Sequence, residues 1–147
     1  LTAQHLVDFI NRTALFAEER EGLLQGISQW YEEDHVSAFA SLMPQLDHGI
    51  RTVLHRIDEP IPVLHSLKLV DVLRRESVAQ KIGRDLRLHL LAIYCDPSGW
   101  NLQNRFARGF VHPSAMTAGR TNWLVHCMLV LACAEFNHGC RIATTEP

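Results

Sequence analysis

Apolar residues recur at three- and four-residue spacing along most of the chain, the period of a helix that buries one face. Leu6, Phe9 and Ile10 predict a first helix over Thr2 to about Asn11, with Thr2 as its N-cap. A second, amphipathic outer helix is expected from Phe16 to about Glu32, with Leu23, Leu24, Ile27 and either Trp30 or Tyr31 on one side. Glu18, Glu19 and Glu21 lie near its start, where carboxylates favour the helix dipole. Glu32 and Glu33 end that helix and Asp34 caps a longer one. In it Val36, Phe39, Ala40, Met43, Leu46, Ile50, Val53, Leu54 and Ile57 hold the spacing for several turns, with Pro44 as the place for a kink.

Two prolines within Asp58-Glu59-Pro60-Ile61-Pro62 stop any helix. Beyond them the pattern predicts helices over Val63 to Leu73 and Val78 to Tyr94, the latter weakly interrupted at Gly83. A final helix begins near Ala115 to Thr121 and runs to about Phe136 through Trp123, Leu124, Cys127, Met128, Leu131 and Ala132. It is apolar nearly all round and is the expected centre of the bundle. With no strand-like alternation, the expected fold class is all-α, a helical bundle in one domain over 1–147.

The stretch Asp96 to Phe110 combines a turn, a helix start and a polar strip. In Asp96-Pro97-Ser98-Gly99, proline presets φ, glycine tolerates positive φ, and the Asp and Ser side chains can bond nearby amides. From Trp100 on, Leu102, Phe106 and Phe110 share one face while Asn101, Arg105 and Arg108 share another. Arg105 and His112 come into register two turns apart if the helix survives Gly109 and reaches the residue before Pro113.

Nearly half the residues are hydrophobic (47%) and a fifth charged (20%), which excludes disorder. No apolar run reaches membrane-spanning length, so no membrane contact is expected. The formal net charge of −2 excludes a global electrostatic attraction for nucleic acid, and any RNA site must be local. Lys68 and Lys81 are the only lysines; the remaining basic residues are arginines, suited to bidentate phosphate contact. Cys95, Cys127, Cys133 and Cys140 show no paired spacing and read as reduced, buried thiols of a cytoplasmic protein. His126, Cys127, Cys133, His138 and Cys140 lack the tight pairs of a zinc site, and neither a metal nor a cofactor is expected. Arg84 and Arg87 either widen a basic patch or cover a solvated helix face, and Asp47 and Arg51 fall at ion-pair spacing. Leu1 in place of methionine, with no signal-peptide pattern after it, suggests a fragment of a longer chain. A Walker loop, a G-x-S-x-G elbow and an HExxH pair are all missing from the sequence.

Gly99-Trp100-Asn101-Leu102-Gln103-Asn104-Arg105-Phe106-Ala107-Arg108-Gly109-Phe110 resembles the G-x-N-L-R-N-R-x-A-H-G-x signature of a domain family defined by an RNxxxHG motif, a branch of the HEPN superfamily. Met43 to Leu54, with Pro44, Leu46, Asp47, Gly49, Ile50, Arg51 and Leu54, is similar to the P-x-L-E-x-G-L-R-x-x-L helix of the same family. The resemblance covers Ser37 to about Phe136 and implies a HEPN-like bundle with a core over about 34–136, preceded by N-terminal helices over 1–33. It also implies a partner, whether RNA, a second copy or another helical domain, and Asp47 and Arg51 bracing the motif helix. Active members of the superfamily cleave RNA without metal, using an arginine and, four to six residues on, a histidine. Here the motif arginine is replaced by Gln103 and the motif histidine by Arg108, while Asn104 and Gly109 are kept.

Glutamine carries no charge and arginine stays protonated near neutrality, so these replacements remove the proton carrier but keep the means to hold a phosphate. The expected function is a catalytically degenerate RNA-binding or dimerisation module in RNA decay or defence, with Asn101, Gln103, Asn104, Arg105 and Arg108 as the phosphate-binding residues. Two alternatives stand beside it. One is an active metal-independent endoribonuclease in which Arg105 and His112 form a displaced catalytic pair, and the other is a purely structural protein-interaction domain.

Overall fold

The computed structural model describes residues 2–13, 15, 16, 20–55, 68–108 and 116–142, and among them every regular element is helical. Helix α1 (Ala3–Ile10) starts as its sequence implies. The His5 amide donates to the Thr2 hydroxyl and the Thr2 amide to His5 Nδ1, a reciprocal cap at 3.4 and 3.2 Å. Leu6, Val7 and Ile10 are buried, and Phe9 packs against the core at its edge.

Helix α2 (Arg20–Tyr31) is shorter than the apolar pattern suggests. Phe16 is outside it, in a bend, yet fully buried, and a Cβ at Gly49 of the next helix would fall on its ring. Phe16 therefore contributes to the core as a plug on a connecting segment. Glu18 and Glu19 are outside the described residues. Of the two aromatics that end α2, Trp30 packs on the core and Tyr31 stays 42% exposed.

Helix α3 (His35–His55) is capped by Asp34, whose carboxylate accepts the Ser37 amide at 3.1 Å; hydrogen bonding from the Ser37 side chain, then from its amide, holds the Asp34 pKa below the ordinary carboxylate value. The helix runs through Pro44 without a break. The missing amide at Pro44 deprives only the carbonyl of Ala40, an exposed residue. Ala38, Phe39, Leu42, Met43, Leu46, Ile50 and Val53 form its buried face; Val36 and Ala40, expected there, are exposed, because the face is centred on Ala38 and Leu42 instead. Leu54 and Ile57 fall outside the described side chains.

Helix α2 lies along α3 in the largest helix–helix contact of the fold. Gly22 and Gly26, one turn apart, make this possible, since a Cβ at Gly26 would collide with Leu42 and one at Gly22 with the Gln45 side chain. Helix α4 (Leu69–Leu73) is only five residues long and starts at Leu69, because Lys68 before it is extended (φ −68°, ψ 146°); the single helix expected over Val63 to Leu73 is therefore broken at Lys68, and Val63 to Leu67 lie outside the described residues.

The single helix expected over Val78 to Tyr94 is three pieces: α5 (Glu76–Ile82), α6 (Arg84–Leu90) and a π-helical turn (Leu91–Cys95). Gly83 has φ 91°, which no continuous helix accepts, so it is a true break. The apolar spacing nonetheless carries on through Ile82, Leu90, Ile93 and Tyr94, all buried.

The six-residue α7 (Leu102–Ala107) follows, and α8 (Ala118–Ile142) closes the bundle, continuing beyond the expected end at Phe136. Helix α8 packs chiefly on α3, burying Leu124, Val125, Cys127, Met128, Leu131 and Ala132. It is not apolar all round in use: Asn122, Trp123, His126 and Cys133 face outward, so its position is one wall of the bundle. Cys133 thus departs from the buried thiols expected, whereas Cys95 and Cys127 conform; all three are free. Among the described residues no helix is long and apolar enough to cross a membrane.

Candidate nucleic-acid interface

The polar stretch after α6 is shaped by the π turn that precedes it. The Asp96 amide donates to the Leu91 carbonyl at 2.8 Å, five residues back. The chain then reverses: the Gly99 amide donates to the Asp96 carbonyl at 3.0 Å and the Ser98 amide to Asp96 Oδ1 at 2.8 Å. The expected turn is therefore present, but Gly99 serves it differently. Its φ is not in the left-handed region; a Cβ there would collide with the Ala92 carbonyl oxygen. That carbonyl accepts the Trp100 amide at 3.2 Å, pinning the turn back onto the π turn.

Asn101 has φ 49°, a left-handed geometry that asparagine tolerates better than most residues. Its carbonyl accepts the Arg105 amide at 3.1 Å and its Oδ1 accepts Asn104 Nδ2 at 2.8 Å. Leu102 is fully buried and anchors α7. The helix ends at Ala107; Arg108 adds one more turn residue, its amide donating to the Asn104 carbonyl at 3.2 Å.

Of the five residues expected to hold phosphate, Arg105 and Arg108 are exposed, three residues apart on one turn, and neither forms an ion pair among the described residues. Asn101 and Asn104 are brought together by a single amide–amide bond, Asn104 Nδ2 to Asn101 Oδ1, which locks the helix start. The side chain of Gln103 is outside the described part. The register of Arg105 with His112 requires a helix running on to His112, and α7 stops at Ala107; His112 itself lies outside the described residues.

Several other arginines are paired. Glu76 takes Arg84 at 3.2 Å and Arg87 at 3.8 Å, so these two neutralise an acid rather than widen a free patch. Arg51 grips Asp47 through Nε at 2.8 Å and Nη2 at 3.3 Å. Asp47 also lies near Cys95, the last residue of the π turn. Burial chiefly, and then that carboxylate, push the Cys95 thiol up to about 12, while Arg74 pulls the other way. The Arg120 guanidinium sits 6.0 Å from the ring centroid of Trp100, which is 42% exposed. Among the described residues no three His, Cys, Asp or Glu side chains gather as a metal-binding group.

Sequence reasoning passed over a second polar and aromatic surface on the outer side of α8. Trp123 lies between His89, with ring centroids 4.9 Å apart, and His126, at 5.3 Å, and the residue before it, Asn122, accepts from the Trp30 indole. The outward spacing of Asn122, Trp123 and His126 on one helix was the available signal, masked by the surrounding apolar run. No family model matches the chain, and neither a curated protein nor a solved structure matches it.

Proposed function

We propose that this chain is a catalytically degenerate HEPN-like helical module that holds the phosphate backbone of single-stranded RNA through Arg105 and Arg108. The observation that carries the reading is the pair of exposed guanidinium groups at the end of α7, Arg105 on the helix and Arg108 just after it, without acidic partners among the described residues, on a segment fixed by Leu102 and the Asn101–Asn104 bond. The fixed backbone places two charges within reach of one or two phosphates, and ordering each free arginine side chain on binding costs about 0.5–1.5 kcal/mol, which keeps the affinity low. Arg108 at the position of the motif histidine supplies charge and no proton transfer near neutral pH. Helix α7 is too short for its dipole to add much, so affinity depends on the two arginines.

Contacts to phosphate carry no base information, and the expected binding is weak, sequence-tolerant and salt-dependent. Replacing Arg105 and Arg108 together with Gln should lower the affinity for a short single-stranded RNA in fluorescence anisotropy and flatten the slope of log K against log salt by roughly one to two units. Equal affinity and slope in the double variant and the parent would overturn the proposal. Docking of a second copy or a helical partner is a further reading, favoured by Trp100, exposed beside the same segment. A strict monomer by light scattering, with RNA binding intact, removes its self-association form.

A further inference from the structure

Where α2 ends and α3 and α8 begin, a cavity of about 360 Å³ is lined by Trp30, Tyr31, Glu33, His35, Ala118 and Asn122. Its aromatic walls are set at a corner. The Trp30 indole N–H donates to Asn122 Oδ1 at 2.7 Å, across ninety-two residues of chain, which fixes the ring. The Tyr31 ring stands 74° to it with centroids 5.1 Å apart. Two aromatic rings set steeply to one another thus border one space.

The third side is acidic. Glu32, Glu33 and Asp34 are consecutive and exposed. The Asp34 carboxylate is spent on the cap of α3, but that of Glu33 makes no ion pair among the described residues. Glu33 is held at φ 60° between the Glu33 amide bond to the Trp30 carbonyl (3.2 Å) and the His35 amide bond to the Glu33 carbonyl (3.0 Å), which fixes its backbone beside the two rings. No lysine or arginine lines the cavity.

We propose that the corner formed by Trp30, Tyr31 and Glu33 binds an alkylated ammonium group. Faces of aromatic rings attract a cation through their quadrupole, and they suit one whose charge is spread over methyl groups, since it gives up little hydration on leaving water. The carboxylate complements the charge from the open side. A bare metal ion is a poor occupant, as the walls offer no set of three ligating side chains. A phosphate is a worse one, because Glu33 repels it, so this site is independent of the RNA reading and stands or falls separately.

The same headgroup chemistry occurs in free choline-like molecules and in methylated lysine of a peptide. The test follows the Trp30 indole N–H by nuclear magnetic resonance, assigned through Trp30→Phe, while choline chloride, a trimethyllysine peptide and its unmodified lysine counterpart are titrated into the intact chain. The expected result is saturable binding of the alkylated ligands above the unmodified peptide. It should be weakened about two- to fivefold in Tyr31→Leu and retained in Tyr31→Phe. Glu33→Gln should weaken it by a similar factor, about two- to fivefold, in a manner lost at high salt. Saturation by choline assigns the site to a small-molecule headgroup; saturation by the trimethyllysine peptide alone assigns it to a modified protein. A linear shift matched by sodium chloride, or unchanged binding in both Tyr31→Leu and Glu33→Gln, would overturn the proposal.

Discussion

At Gly99 the space that a Cβ would take is held by the Ala92 carbonyl oxygen, and the neighbouring Trp100 amide is bonded to that same oxygen. A backbone atom cannot swing aside as the end of a side chain can, so Gly99→Ala has to push the turn off the π turn and lengthen the 3.2 Å bond. The expected loss of stability is about 1–3 kcal/mol, as for other overpacking changes, with a lower urea midpoint at an unaltered slope. A midpoint equal to that of the parent would show that the turn is free to lift. The same local logic explains Asn101: left-handed backbone and a side chain satisfied by Asn104 are two reasons for asparagine there, and neither requires RNA. The binding proposed for this segment accordingly rests on the arginines, which have no such internal duty.

Between elements, the contact of α2 with α3 separates two glycines that look equivalent in the sequence. Ala at Gly26 would drive its Cβ into Leu42, which is fully buried and has nowhere to go, whereas Ala at Gly22 would meet only the amide end of Gln45, a flexible side chain at the edge of the core. Alanine is worth about 1 kcal/mol over glycine within a helix. Gly22→Ala is therefore expected to be neutral or stabilising and Gly26→Ala to cost about 1–3 kcal/mol despite the better propensity; thermal unfolding of the two variants gives the sign of each. Helices whose caps and apolar faces agree, such as α1 with Thr2 and α3 with Asp34, could be placed from the sequence because local chemistry alone decides them. The break at Gly83 and the π turn could not, since the apolar spacing continues across both and only backbone geometry distinguishes them. The arginine pair at the end of α7 was legible as a polar strip. The loss of Asn101 from it was not, because a left-handed residue leaves the helical face that the spacing assumes. Least legible was the Trp30 corner, whose walls come from the end of one helix and the start of another ninety residues on.

Across the molecule, the core around α3 and α8 encloses ionisable groups that folding keeps neutral. Burial pushes the Cys127 thiol up to about 11, with the Tyr94 hydroxyl acting in the opposite sense, and burial also holds Tyr94 well above the ordinary phenol value. With Cys95 at about 12, both thiols keep their protons in the folded chain at a pH where an unfolded thiol, near 9.0, has lost its own. Above that point the unfolded state binds fewer protons, and stability falls as pH rises. The contribution is complete below about pH 9 and is lost progressively up to about pH 11 to 12. Each thiol adds a slope of up to about 1.4 kcal/mol per pH unit while only its unfolded form is ionised. Asp34 acts at the other end: its lowered pKa makes its contribution present above 3.8 and lost as pH falls through the folded value. Urea midpoints measured from pH 7 to about pH 11 should therefore hold steady and then decline, and Cys95→Ala with Cys127→Ala should make that decline shallower whatever the double variant does to stability at pH 7. Cys133, exposed on α8, should be alkylated in the folded protein at neutral pH, with Cys95 and Cys127 modified only on unfolding, as read by peptide mass mapping. An alkaline decline of the same steepness in the double variant would mean that the thiols are not what the folded core keeps neutral, and would place the alkaline limit on Tyr94 instead.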